Sequence, residues 1–88
     1  MQGIASRQKR YVEVVSRMDV KGQVSPLQVI WSDGRHFSVE KVLDARRAQS
    51  LKTGSTGMRY TVQVGSQATY LWYEEPRWFV EAKVAAMP

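Results

Sequence analysis

Met58-Arg-Tyr-Thr-Val-Gln-Val-Gly-Ser-Gln-Ala-Thr-Tyr-Leu-Trp-Tyr73 folds back on itself at Gly65-Ser66. Glycine at the first central position suits a two-residue type II′ turn, which matches the twist of the strands it joins. That turn sets the register. Val64 faces Gln67, Val62 faces Thr69, Tyr60 faces Leu71 and Met58 faces Tyr73. On the other side Gln63 faces Ala68, Thr61 faces Tyr70 and Arg59 faces Trp72. Glu74 to Arg77, with Pro76, makes the next turn. Tyr73 then faces Trp78 and Leu71 faces Val80. Trp72 faces Phe79, and Tyr70 faces Glu81, on the other side. The result is a three-stranded meander with two distinct faces. Tyr60, Val62, Leu71, Tyr73, Trp78 and Val80 form the expected core face. Arg59, Tyr70, Trp72 and Phe79 share the second. A one-residue slip at either turn exchanges the faces, because side chains alternate with period two.

Upstream, Tyr11 to Val20 alternates, with Val12, Val14, Met18 and Val20 on one side and Glu13, Arg17 and Asp19 on the other. This predicts a half-buried strand. Lys21-Gly22-Gln23 is a turn, and Ser25-Pro26 opens a strand rich in β-formers. Asp33-Gly34 predicts a type I′ hairpin turn, which would set Ile30 opposite Phe37, Trp31 opposite His36 and Gln28 opposite Val39. A short helical turn or a bent strand is expected over Glu40 to Arg47. Ala48 to Gly57 is polar and glycine-containing and reads as a mobile loop. The spacing of turns predicts an all-β fold, a small SH3-like barrel of five or six antiparallel strands. The domain is expected over residues 11–83, with a flexible arm at 1–10 and a tail at 84–88.

The 88 residues suffice for one domain. There is no cysteine, which removes disulfides and thiolate metal ligands and fits a reducing cytoplasm. The N-terminus lacks the apolar run of a signal peptide, and no window has the apolar length of a transmembrane helix. A soluble, cytoplasmic monomer without a membrane partner is expected.

The net charge is +5 and unevenly spread. Residues 45–60 hold Arg46, Arg47, Lys52 and Arg59 and no acid. Clustered positive charge attracts polyanions. Beside it, Trp72, Tyr70 and Phe79 are candidate stacking platforms for unpaired bases, with the four basic residues holding phosphates. Alternatively the second face is covered by a helix, a tail or the rest of a closed barrel, or docks a protein. Arg59 over Trp72 would then be a stabilising cation–π pair.

Catalysis has little support. His36 is the single histidine, expected directly after a tight turn and opposite Trp31. Glu74 and Glu75, adjacent in a turn, read as solvated. No metal site and no cofactor is expected, since ligand sites need several converging groups. Lys52-Thr53-Gly54-Ser55-Thr56-Gly57 lacks the phosphate-loop pattern, although its backbone N–H groups suit an anion nest.

The chain resembles a group of short uncharacterised proteins of Gram-positive, clostridial-type bacteria. The resemblance lies in Trp31-x-Asp33-Gly34-Arg35, Val42-Leu43-Asp44, Gly57-x-Arg59-Tyr60-Thr61, Thr69-Tyr70-Leu71 and Arg77-Trp78-Phe79-Val80-Glu81, and covers about residues 11–83. A looser likeness exists to a small actinobacterial domain of unknown function, sometimes associated with translesion-type DNA polymerases. The second resemblance implies a link to nucleic-acid metabolism. The sequence thus leads to a non-enzymatic module that binds single-stranded or structured nucleic acid weakly. The alternative is a protein-interaction module using the same face or an edge strand.

Overall fold

The computed structural model describes residues 7–51 and 53–83. Lys52 and both termini lie outside the described residues, as does most of the expected N-terminal arm. Seven antiparallel strands make one sheet: β1 (Arg7–Met18), β2 (Val24–Ile30), β3 (His36–Ser38), β4 (Lys41–Gln49), β5 (Thr56–Val64), β6 (Gln67–Glu74) and β7 (Arg77–Lys83), in the order β3-β2-β1-β7-β6-β5-β4. The sheet curls into a half-barrel around one core. No described helix is long and apolar enough to cross a membrane.

The curl begins in β1. Its first half, Arg7 to Val12, pairs with β7, and its second half, Glu13 to Met18, pairs with β2. A twelve-residue strand that serves two neighbours in succession must bend, and so lays β2 and β3 over the inner face of β5, β6 and β7. Val29 of β2 accordingly joins Tyr60, Val62, Leu71 and Trp78 in the buried cluster. Tyr60 Oη donates to the Val24 carbonyl at 2.5 Å, so the ring spans the core and its hydroxyl is satisfied at the far wall.

The meander has the register expected from its turns. Every β5–β6 pair from Met58↔Tyr73 to Val64↔Gln67 is in place, and Trp72 lies opposite Phe79. Gly65 has φ +59 while no described non-glycine residue, Ser66 included, has positive φ, as a type II′ turn requires.

Elsewhere the strands differ from the sequence reading. The described residues form seven strands rather than five or six, because the segment after Phe37 is two strands. β3 ends at Ser38, Val39 and Glu40 turn a corner, and β4 follows. The Val39 N–H donates to Leu27 and the Glu40 N–H to Gln63, so the corner ties both limbs of the sheet together. No helical turn forms there; β4 is a bent strand with a bulge at Leu43, between the pairs Val42↔Val62 and Asp44↔Thr61. The Asp33-Gly34 turn is also different. Gly34 N–H donates to the Trp31 carbonyl and Trp31 N–H to Arg35, with only Gly34 at positive φ (+91). This is a longer loop with a left-handed glycine after the turn. It moves the register by one residue, so that Ile30 faces His36 and Val29 faces Phe37. Asp33 favours this loop by accepting from the Arg35 backbone at 3.0 Å and from Arg35 Nε at 2.7 Å.

Met18 and Val20, expected on the inner side with Val12 and Val14, are exposed; Met18 retains 67% of its accessible surface. The irregularity in this pairing lies in β2: Val15 and Ser16 are consecutive, while their partners Gln28 and Pro26 skip Leu27, which has no partner in β1 and is 44% exposed. Pro26, which donates no backbone hydrogen bond, sits beside that irregularity.

Candidate nucleic-acid interface

The second face of the meander is built by alternation along four strands. Arg7, Lys9 and Tyr11 come from β1, Phe79 and Glu81 from β7, Tyr70, Trp72 and Glu74 from β6, and Arg59 and Thr61 from β5. Asp44 and Arg46 extend it onto β4, opposite Thr61 and Arg59.

Trp72 and Phe79 are not platforms on this face. They are 2% and 0% exposed and stack on each other at 5.7 Å with planes 7° apart. Two roofs cover them. Over Phe79 lie Tyr11, edge-on at 6.0 Å, and the Lys9 ammonium, 4.8 Å from the ring centre. Lys9 is held there by Glu74 at 3.0 Å, and Glu74 also accepts from Tyr11 Oη at 2.6 Å. Arg77 lies over the Tyr11 ring at 3.8 Å. Glu74, expected to be solvated, is therefore the hub of a small network. The Tyr11 and Lys9 hydrogen bonds hold its carboxyl below the usual range, and Glu74 in turn raises Lys9.

The other roof is the turn between β4 and β5. Rather than hanging free, it is folded onto β7. Ser50 is buried, its N–H donates to the Ser55 carbonyl, and Gly54 N–H returns to Ser50. The hydroxyls of Ser50 and Thr53 both bond Glu81 Oε2, Thr53 at 3.2 Å. In sequence Ser50 and Thr53 are two more polar residues of a loop; the long-range partner Glu81 gives them a position. Gly57, at the start of β5, admits a close crossing: a Cβ there would lie 2.6 Å from the Tyr73 carbonyl oxygen.

Of the expected binding residues, the structure brings Arg46, Arg59 and Tyr70 together. Tyr70 is 43% exposed, and the Arg59 guanidinium sits 4.5 Å from its ring centre, over Tyr70 rather than Trp72. Arg46 is exposed but paired to Asp44 at 2.7 Å, which lowers the Asp44 carboxyl and raises the Arg46 guanidinium. Arg47 lies opposite Met58, on the other side of the sheet. Lys52 lies outside the described residues. Arg7, placed in the arm by sequence, instead reaches across to the Glu81 carbonyl at 3.1 Å. The alternation Arg7, Lys9, Tyr11 was the available signal, since it continues the strand pattern back through the arm.

Two hollows flank Tyr70. The larger, ≈ 340 Å³, is bordered by Arg7, Thr61, Thr69, Tyr70 and Glu81. The smaller, ≈ 200 Å³, lies toward the β4–β5 turn and is bordered by Gln49, Ser50, Arg59, Tyr70, Trp72 and Glu81. Trp72 Nε1 and Arg59 Nε are buried and have no acceptor among the described residues. His36 is remote from both, exposed on β3, with Nδ1 at 3.3 Å from Gln28 Oε1 and not opposite Trp31.

No protein-family model, curated protein or solved structure matches the chain.

Proposed function

We propose that this chain is a cytosolic, monomeric, SH3-like barrel that binds single-stranded or structured nucleic acid weakly. The observation that carries this reading is Tyr70, a half-exposed ring with the Arg59 guanidinium against it and a hollow on each side. A base stacks on Tyr70, and Arg59, Arg46 and Arg7 face the backbone phosphates. Stacking of this kind accepts any base because each has a π-face. Weak affinity follows from the charge pairing on this face: Asp44 already occupies Arg46, leaving few unpaired cations for phosphate. Trp72 and Phe79 serve by holding the strand that presents Tyr70.

Fluorescence anisotropy with single-stranded DNA and RNA at low salt tests the reading. Tyr70→Ala is expected to weaken binding by roughly tenfold, and raising the salt weakens it further. Absence of binding at low salt, or binding indifferent to Tyr70→Ala combined with Arg46→Ala, refutes it.

A second reading is favoured by one feature. Among the described residues β4 is an edge strand with no strand paired to its outer side, and Leu43 at its bulge is 48% exposed. Such an edge accepts an added strand from a protein partner. Retention of one defined partner after nuclease treatment, abolished by proline at Arg47, supports that reading over the first.

A further inference from the structure

We propose that Tyr11 and Arg77 form a second base-stacking site, so that one nucleic-acid strand crosses the outer face from Tyr70 to Tyr11. This rests on the nucleic-acid reading above and adds the path of the strand and its second point of hold.

The features that single out Tyr70 recur at Tyr11. Tyr70 is 43% exposed and Tyr11 40%, and both belong to the second face of the meander. A guanidinium lies over each ring, Arg59 at 4.5 Å from the centre of Tyr70 and Arg77 at 3.8 Å from that of Tyr11. A hollow of ≈ 340 Å³ opens beside Tyr70, and one of ≈ 430 Å³ beside Tyr11 and Arg77. The second hollow lies in the fork where β1 leaves β7 after the Val12↔Trp78 pair and turns to β2. Val14, Tyr73, Pro76 and Trp78 border it, and no acidic residue does. Such a lining suits a flat, largely apolar ring and does not repel the phosphate attached to it.

The Tyr11 site is set before a ligand arrives. The Tyr11 hydroxyl donates to Glu74 at 2.6 Å and accepts from Arg77 Nη2 at 3.1 Å, which fixes ring and guanidinium against each other. A preset platform spares the cost of ordering side chains on binding. Bases stack on aromatic rings and on arginine planes alike, so the pair offers both. Lys9 takes the ion pair with Glu74, and Arg77 makes none among the described residues. Its charge is therefore open to a phosphate, unlike that of Arg46.

Strand register sets the distance between the two rings. Tyr11 lies opposite Phe79, Phe79 lies opposite Trp72, and Tyr70 is two residues from Trp72. Two strand spacings across and two residues along make about 12 Å between the Cα atoms. At the rise of about 3.4 Å per nucleotide in a stacked strand, the rings take bases about three or four positions apart. Between them Trp72 and Phe79 are buried, with Lys9 above Phe79, so the intervening bases meet no platform.

The test uses the full chain, fluorescence anisotropy at low salt and labelled DNA octamers of equal charge. One octamer is wholly abasic, one carries a single thymine, and one carries two thymines three positions apart. The single thymine is expected to tighten binding roughly tenfold over the abasic strand, and the second thymine roughly tenfold again. Tyr11→Leu removes the second step and keeps the first. Tyr11→Phe, which retains the ring without its hydroxyl, keeps both. If Tyr11→Leu does not fold, Arg77→Ser, at an exposed position, removes the second step in its place. A second step absent from the wild type, or unchanged by Tyr11→Leu or Arg77→Ser, overturns the Tyr11 site and leaves the Tyr70 reading standing. Failure of every octamer to bind overturns the nucleic-acid reading and this site with it.

Discussion

The two faces of the β5–β6–β7 meander bury aromatic rings by different means. On the inner face Tyr60 and Trp78 meet aliphatic side chains from their own meander, and β2 closes over them with Val29. On the outer face Trp72 and Phe79 are equally buried, yet their cover is Lys9, Tyr11 and a serine–threonine turn. An apolar counter-layer is therefore not needed to exclude water from a ring. The stem of a lysine can do so if its charged end is anchored, here by Glu74, and the cation gains from the ring face beneath it. The difference is one of sensitivity. The inner core depends on shape and on one tyrosine hydrogen bond, whereas the outer one also depends on charge and on turn geometry.

The largest effects test whether the outer layer is a core at all. Leu71→Ala and Phe79→Ala remove fully buried side chains from opposite faces. Each is expected to lower unfolding free energy by about 3 kcal/mol in denaturant titration. A loss for Phe79→Ala well under 1 kcal/mol, on the scale of a surface change, would reduce the outer layer to surface decoration.

A smaller effect concerns the crossing that carries the outer roof. Gly57→Ala forces a methyl group against the Tyr73 carbonyl, and backbone must move to admit it. The expected destabilisation is about 1–3 kcal/mol, typical of overpacking. A thermal melt unchanged by this substitution would show that β5 and β6 can separate there freely.

The smallest effect separates the faces by pH. Glu74 has a folded pKa held below its usual value by Tyr11 and Lys9. Its contribution is complete above the ordinary carboxylate range and is lost as pH falls through the depressed folded value. Wild type should therefore lose more stability than Glu74→Gln on acidification from about pH 5 downward. Asp33 and Asp44, also lowered by their arginines, act equally in both proteins. Parallel acid curves for the two proteins would mean that the Glu74 network contributes nothing to the outer layer. Because the network is partly exposed, added salt should shrink the difference.

Much of this architecture was legible in advance, though unevenly. Where a turn left one geometry open, the sequence reading and the structure agree: Gly65-Ser66 specifies the β5–β6 register, and Glu74–Arg77 specifies the β6–β7 pairs from Glu74↔Arg77 to Trp72↔Phe79. Where a turn motif admits two geometries, they diverge. Asp33-Gly34 fits both a two-residue turn and a longer loop with a left-handed glycine, and the Asp33–Arg35 contacts favour the second. Bulges at Leu27 in β2 and Leu43 in β4 shift the pairing, and alternation alone does not place them. The binding cluster divides in the same way. Tyr70, Arg46 and Arg59 share a face because their spacing obliges them to, but Arg47 falls on the other side and Arg7 enters from a strand read as an arm.

By itself the sequence determines which residues travel together. Period-two alternation, pinned by turns that tolerate a single register, makes Trp72 and Phe79 neighbours and places Tyr70 on their side. It cannot determine what lies above that side, because the covering groups are far away in the chain. Glu81 meets Ser50 and Thr53 across 31 and 28 residues, and Lys9 meets Glu74 across 65. Only closing the half-barrel brings those segments together, burying Trp72 and Phe79 and leaving Tyr70 at the surface.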